Sequence, residues 1–182
     1  MEPLASTLRP QTLDAVAGQE HLIGAGKPLR MAIEKKELFS FILWGPPGCG
    51  KTTLARMYAH AVDADFFELS GVTAGKDDMR KVVEAPRTLL NKKHRILFLD
   101  EIHRLNKAQQ DCLLPFVERG DILLIGATTE NPSFEVNAAL LSRCRVFTLK
   151  ELSEDALCDI VKRTNAVGDA ESVEWIARYA SG

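Results

Sequence analysis

Cysteine is scarce in this chain. Its 182 residues include four, Cys49, Cys112, Cys144 and Cys158. They lie far apart and form no C-x-x-C pair, which argues against a zinc site or a disulfide framework and suits a reducing cytosol. Long apolar runs are also missing. None approaches the ~20 residues that a membrane-spanning helix needs. The start, Met1-Glu2-Pro3-Leu4, lacks the basic segment and apolar stretch of a signal peptide. No charge of one sign predominates. The net charge is -2, so the domain as a whole is not a basic nucleic-acid binder, and any DNA contact must use a local patch or another segment. There is no internal repeat and no low-complexity segment.

What remains is an ordinary globular composition with 46% hydrophobic residues, enough to bury a core without staples. Five short apolar runs read as strands: Phe41–Trp44, Phe66–Leu69, Ile96–Leu99, Ile122–Gly126 and Val146–Leu149. They are nearly continuous in hydrophobicity rather than alternating, as in a parallel sheet covered on both faces. Helical stretches separate them: Leu29–Lys36, Thr52–Val62, Asp77–Asn91, Asn106–Arg119 and Ala138–Arg143. Strand and helix alternate, so the class is α/β with right-handed crossovers. Pro86 and Pro115 fall inside helical patterns and are expected to bend or shorten them. After Leu149 the pattern turns all-helical. Ser153 is placed to cap a helix over Glu154–Arg163, with Leu157, Ile160 and Val161 as its apolar face. Gly168-Asp169 marks a turn, and Glu171–Tyr179 reads as a further helix. Residues 1–150 are therefore expected to form one α/β domain and residues 151–182 the start of a small helical one.

Two motifs carry chemistry. Gly45-Pro46-Pro47-Gly48-Cys49-Gly50-Lys51-Thr52 matches G-x-x-x-x-G-K-[ST], follows a strand and opens a helix, which is the context of a phosphate-binding P-loop. Gly48 and Gly50 let successive N–H groups point at a phosphate, and the following helix adds its positive end. Lys51 is expected to reach the β- and γ-phosphates, the Thr52 hydroxyl to bind Mg2+, and Thr53 to line the same site. The second motif is Ile96–Leu99 running into Asp100-Glu101. Asp100 at the strand's carboxyl end can hold Mg2+ through water, and Glu101 can polarise an attacking water. Behind a P-loop on a parallel sheet, both strand ends face one crevice. His103 and Arg104 follow directly; a histidine here could touch the site, and a solvated or capping role is the plainer reading.

Together these residues resemble an AAA+ ATPase, a P-loop NTPase with a five-stranded parallel sheet and a helical lid. The family most similar is that of replication-associated recombination protein A and the Werner-helicase-interacting ATPase. The resemblance rests on Pro3-Leu4-Ala5 with Leu8-Arg9-Pro10, on Gly18-Gln19-Glu20-His21-Leu22, on the P-loop, and on Gly126–Glu135, the most family-specific segment. It implies adenine-cradling roles for Leu4–Pro10 and Val16–Gln19, with Leu4 and Gln19 as contacts; an alternative is a hydrophobic strap across the core. It places Thr129 at the "sensor 1" position, with Asn131 as a second candidate. Leu141-Ser142-Arg143-Cys144 resembles the Ser-Arg-Cys motif of clamp loaders, which makes Arg143 an arginine finger acting on a neighbour's ATP, with Arg145 close by.

The resemblance further implies ATP and Mg2+ as ligands, a homo-oligomer, DNA and replication proteins as partners, no membrane, and a cytoplasmic or, in a eukaryote, nuclear location. The function expected is fork maintenance, recombination and repair. A clamp-loader subunit and a nucleotide-gated scaffold with little turnover are the alternatives. Branch-migration motors share Asp100–Leu105 but insert a β-hairpin before the sensor-1 strand, for which Gly120-Asp121 leaves no room. Clamp-loader motor subunits carry a four-cysteine zinc insert, and Tyr58–Phe67 has no cysteine. Lys92-Lys93-His94-Arg95 reads as a solvated turn. Gly71–Arg80 is where related motors face a central channel, yet neither stretch has the basic-aromatic mixture of a strong single-strand binder.

Overall fold

The computed structural model describes residues 9–10, 12–84, 93–164 and 169–180. The five strands are β1 (Phe41–Trp44), β2 (Asp65–Ser70), β3 (Arg95–Asp100), β4 (Leu123–Thr128) and β5 (Arg145–Thr148). They form one sheet in the order β2-β3-β4-β1-β5, and every pairing is parallel. The helices are α1 (Glu20–Ile23), α2 (Pro28–Glu34), α3 (Lys51–Ala61), α4 (Lys76–Glu84), α5 (Lys107–Glu118), α6 (Pro132–Glu135), α7 (Ala138–Leu141), α8 (Glu154–Arg163) and α9 (Ala170–Tyr179). Two 3-10 turns lie at Leu13–Ala15 and Ile102–Arg104. No helix among the described residues is long and apolar enough to cross a membrane.

The near-continuous apolar runs have the cause expected of them. Side chains alternate across a strand, and here both faces are covered. Phe41, Leu43, Ile96, Phe98, Ile125 and Ala127 point into a core shared with α2 and α3, where Leu29, Leu54, Ala55 and Tyr58 are buried. Ile42, Leu97, Leu99 and Leu124 point the other way, onto Met79 and Val82 of α4, Leu113 of α5 and Leu140 of α7. Tyr58 stands edge-on to Phe41, with ring centroids 5.0 Å apart. Its hydroxyl donates to the Glu37 carbonyl at 2.7 Å, so its one polar atom is satisfied.

Boundaries differ from expectation where backbone pairing overrides the apolar pattern. β4 continues past Gly126 because Ala127 and Thr128 pair with Leu43 and Trp44 of β1. Gly126 is needed mid-strand: a Cβ there would lie 2.9 Å from Cδ1 of Ile102. α5 opens on a capping box in which Asn106 and Gln109 each accept the other's backbone N–H at 2.9 Å, two end donors satisfied reciprocally. The helix runs on for three residues past Pro115. Pro115 and Asp111, whose carbonyl the ring leaves without a donor, are both exposed, so water can replace the lost bond. α7 stops at Leu141, leaving Ser142 and Arg143 beyond it. Ser153 caps α8 as expected, accepting from Ala156 N at 3.2 Å. Pro86 and the end of the long helix expected to Asn91 lie outside the described residues. The four short helical elements at Leu13–Ala15, Glu20–Ile23, Ile102–Arg104 and Pro132–Glu135 are too brief to show a period in sequence.

Candidate nucleotide site

All five strands point the same way, so their carboxyl ends share one edge. β1 runs there into the P-loop, β3 into Asp100-Glu101 and β4 into Thr128-Thr129. Gly48 and Gly50 have φ of 70° and 99°, the left-handed region that lets the loop fold back before α3. Gly45 is required for space, because a Cβ would meet the Leu149 carbonyl at 2.7 Å. Lys51 is buried. Its Nζ donates to the carbonyls of Gly45 at 2.8 Å and Pro46 at 2.7 Å, holding the ammonium across its own loop. Phosphate oxygens are anionic and accept more strongly than those neutral carbonyls. The thiol of Cys49 is buried in the loop, and burial pushes its pKa up although Lys51 nearby pulls it down. The loop therefore keeps its positive character.

Two cavities adjoin along the P-loop. One, of about 360 Å³, is lined by Pro47, Gly48, Lys51, Thr52, Asp100 and Glu101. It gathers the loop, the carboxylates and the Thr52 hydroxyl around one space. The donors available for a cation, Thr52 and Asp100, are all oxygen, which suits a hard ion such as Mg2+. The other, of about 430 Å³, is largely apolar, with Pro10, Val16, Ala17, Leu157, Ile160 and Val161 in its wall. Arg9, Gly48, Gly50 and Thr53 line both. A nucleotide has this division: a flat heterocycle suited to an apolar slot, and phosphates suited to backbone N–H groups and a lysine.

Of the N-terminal residues expected at this slot, Arg9 and Pro10 line it. Val16 and Ala17 line it as well, but the buried Gln19 amide is used elsewhere. Its Nε2 donates to Lys150 O at 2.6 Å and Cys49 O at 3.2 Å, and its Oε1 accepts from Lys150 N at 3.0 Å. Gln19 thus straps the P-loop to the exit of β5 rather than presenting its amide to the slot. Leu4 lies outside the described residues. From the other side, Arg163 of α8 donates to the Ala15 carbonyl.

Glu101 leaves β3 in a left-handed conformation, φ 53° and ψ 50°, and its backbone N–H donates to Asp100 Oδ1 at 3.2 Å. His103, read from sequence as solvated or capping, is neither. Its side chain is 14% exposed and its Nδ1 lies 3.1 Å from Glu101 Oε2 and 3.0 Å from Thr128 Oγ1. The sequence reading also passed over Thr128, which is fully buried; the neighbouring Thr129 is half-buried just beyond the strand. Asn131 is spent on capping α6, accepting from Ser133 N at 3.0 Å. Arg143 does not join this group. It precedes β5, at the amino edge of the sheet, and pairs with Glu118 Oε1 at 2.5 Å while donating to Ala139 O at 2.6 Å. Arg145 is occupied separately, over the Phe39 ring at 4.1 Å and 3.6 Å from Glu37.

The profile of the ATPase family associated with various cellular activities (AAA) matches residues 41–152, more than half of the chain. This chain belongs to the AAA family. The match begins with β1 and ends beyond β5, so it takes in the whole sheet and both carboxyl-edge motifs. Among similar proteins, replication-associated recombination protein A of Escherichia coli strain K12 is 52% identical over 169 residues, which is 92% of this chain and 37% of that protein. ATPase WRNIP1 of Dictyostelium discoideum is 45% identical over 99% of this chain and 22% of its own length. Among solved structures, the Thermotoga maritima RuvB Holliday junction branch migration motor superposes with a TM-score of 0.72 at 32% identity, covering 93% of this chain and 59% of that one. This AAA chain therefore spans about a third or less of these two relatives.

Proposed function

We propose that this chain binds ATP with Mg2+ and hydrolyses it, as the motor part of a DNA-associated protein of replication-fork maintenance, recombination and repair. The observation that carries it is the cavity that brings Lys51, Thr52, Asp100 and Glu101 together beside an apolar slot. Lys51 and the P-loop N–H groups hold the phosphates. Thr52 and Asp100 hold Mg2+, which neutralises charge on the β- and γ-phosphates. Glu101 takes a proton from the attacking water as an oxygen–phosphorus bond forms and the bond to ADP breaks. Thr129 senses the γ-phosphate from the end of β4. Residues 1–150 make the nucleotide-binding body, and residues 151–182 begin a lid whose Leu157, Ile160 and Val161 close the slot.

The DNA role is supported by the name of one relative, replication-associated recombination protein A; the other, WRNIP1, is named as an ATPase. The partners are other copies of the chain, DNA forks, ends or single strands, and replication proteins. Branch migration of the RuvB kind is less well supported, because only four residues separate α5 from β4. The test is ATP binding and turnover in the full-length protein. Lys51→Ala should weaken Mg-ATP binding by about 10–100-fold, the worth of a charge-assisted contact. Glu101→Gln should still bind ATP while turnover falls by about 10²–10⁴-fold. Unchanged ATP affinity in the first variant, or normal hydrolysis in the second, overturns the assignment.

A further inference from the structure

The turn that carries Glu101 is fixed to the end of β4 at two points. Ile102, fully buried, fills the space that a side chain at Gly126 would take. His103 then reaches Thr128 two residues further along the same strand, Nδ1 to Oγ1 at 3.0 Å. The same Nδ1 lies 3.1 Å from Glu101 Oε2, an oxygen that is buried and makes no aligned hydrogen bond.

Proton counting selects the tautomer. An ionised carboxylate only accepts, so the nitrogen facing Glu101 must carry hydrogen. The Thr128 hydroxyl agrees: it accepts from Glu130 N at 3.0 Å and can give its own proton to Glu130 O at 3.1 Å. One N–H on His103 therefore faces two acceptors, Thr128 Oγ1 at the strand end and Glu101 Oε2 at the site. We propose that His103 is the positioning residue for Glu101: its Nδ1–H sets the carboxylate's orientation and ties it to the end of β4. This rests on the reading of Glu101 as the base. Residues 129 and 130 follow Thr128 directly, so a shift of that segment on the γ-phosphate moves one of the two acceptors. The strand end and the base then respond as a unit.

The test compares kcat and KM of full-length His103→Ala, His103→Asn and Thr128→Val with the parent, alongside nucleotide affinity read with a fluorescent ATP analogue. His103→Ala should lower kcat by about 10²-fold, the scale of a catalytic group misplaced by about 1 Å, with affinity unchanged. Asparagine offers an N–H near the position of Nδ1, so His103→Asn should recover much of that loss, which a merely structural role does not predict. Thr128→Val removes one acceptor, and combined with His103→Ala it should cost no more than His103→Ala alone. Normal kcat in His103→Ala overturns the proposal. So does a loss that tracks ATP affinity or melting temperature, or an asparagine variant no better than alanine. Glu101→Gln runs in the same assay. If it hydrolyses normally, the base assignment falls first; if it is inactive while His103→Ala is normal, only the positioning role falls.

Discussion

At the scale of single residues, the site depends as much on what is absent from a side chain as on what is present. Gly71 opens the turn out of β2, and its N–H donates to Asp100 O at 2.7 Å. A Cβ there would press on the Glu101 carbonyl well inside van der Waals contact. The space matters because Glu101 already holds a left-handed backbone, which tolerates little further movement. Gly71→Ala should therefore destabilise the protein by about 1–3 kcal/mol, as overpacking does, and lower turnover by displacing Glu101. Thermal unfolding and ATPase rate of the purified variant check both. A variant with unchanged melting temperature and turnover would show that the two chain segments separate easily.

At the scale of elements, the P-loop and the start of the helical tail are joined by one side chain. Gln19 ties Cys49 O in the loop to both backbone groups of Lys150, just after β5. Gly18, at φ 70°, brings the strap close enough that a Cβ would lie 2.9 Å from Leu152. Each buried backbone group left without its partner costs about 1–3 kcal/mol. Gln19→Ala should accordingly lower stability by a few kcal/mol. It should also weaken nucleotide binding, because the slot between Val16 and Leu157 loses its fixed width. Gln19→Glu keeps the acceptor but sets a buried carboxylate oxygen against the Cys49 and Lys150 carbonyls, so it should be no more stable than Gln19→Ala. Urea unfolding with and without ADP separates the effects: an equal ADP-dependent stabilisation in parent and Gln19→Ala would confine the strap to folding.

At the scale of the whole molecule, the parallel sheet separates the two halves of the proposed chemistry. Lys51, Asp100 and Glu101 stand at the carboxyl edge, whereas Arg143 stands before β5 at the amino edge. β5 alone spans roughly 13 Å at about 3.3 Å per residue, too far for one side chain to reach back. The expected arginine-finger role of Arg143 therefore requires the γ-phosphate of another copy and release from Glu118. In the full-length protein, Lys51→Ala and Arg143→Ala should each be nearly inactive, with the arginine change costing on the order of 10³-fold. Mixed together they should partly recover, since some interfaces then pair an intact P-loop with an intact arginine. The ATPase rate of mixed assemblies is the measurement. No recovery in confirmed mixed assemblies would assign Arg143 to holding Glu118 within its own chain.

Much of this was legible in the order of residues. The five apolar runs, the Gly-rich loop and the carboxylates at the end of β3 are local patterns, and local backbone chemistry decides them: a glycine supplies φ > 0 wherever it sits, and a doubly buried strand must be apolar throughout. That also located Ser153 as a cap. What remained hidden depends on residues distant in sequence. Whether Gln19 contacts nucleotide or straps the core was open in sequence, because the partners its amide takes lie 30 and 131 positions away. His103 could be read as touching the site or as solvated, because nothing in its neighbours announces that Thr128 will stand beside it once β4 pairs between β1 and β3. Gly126 looked like a strand end, until Ile102 required the space. The sheet order decided each of these, and that order follows from how helices cover two apolar faces at once, a constraint on the whole chain that no short segment of it contains.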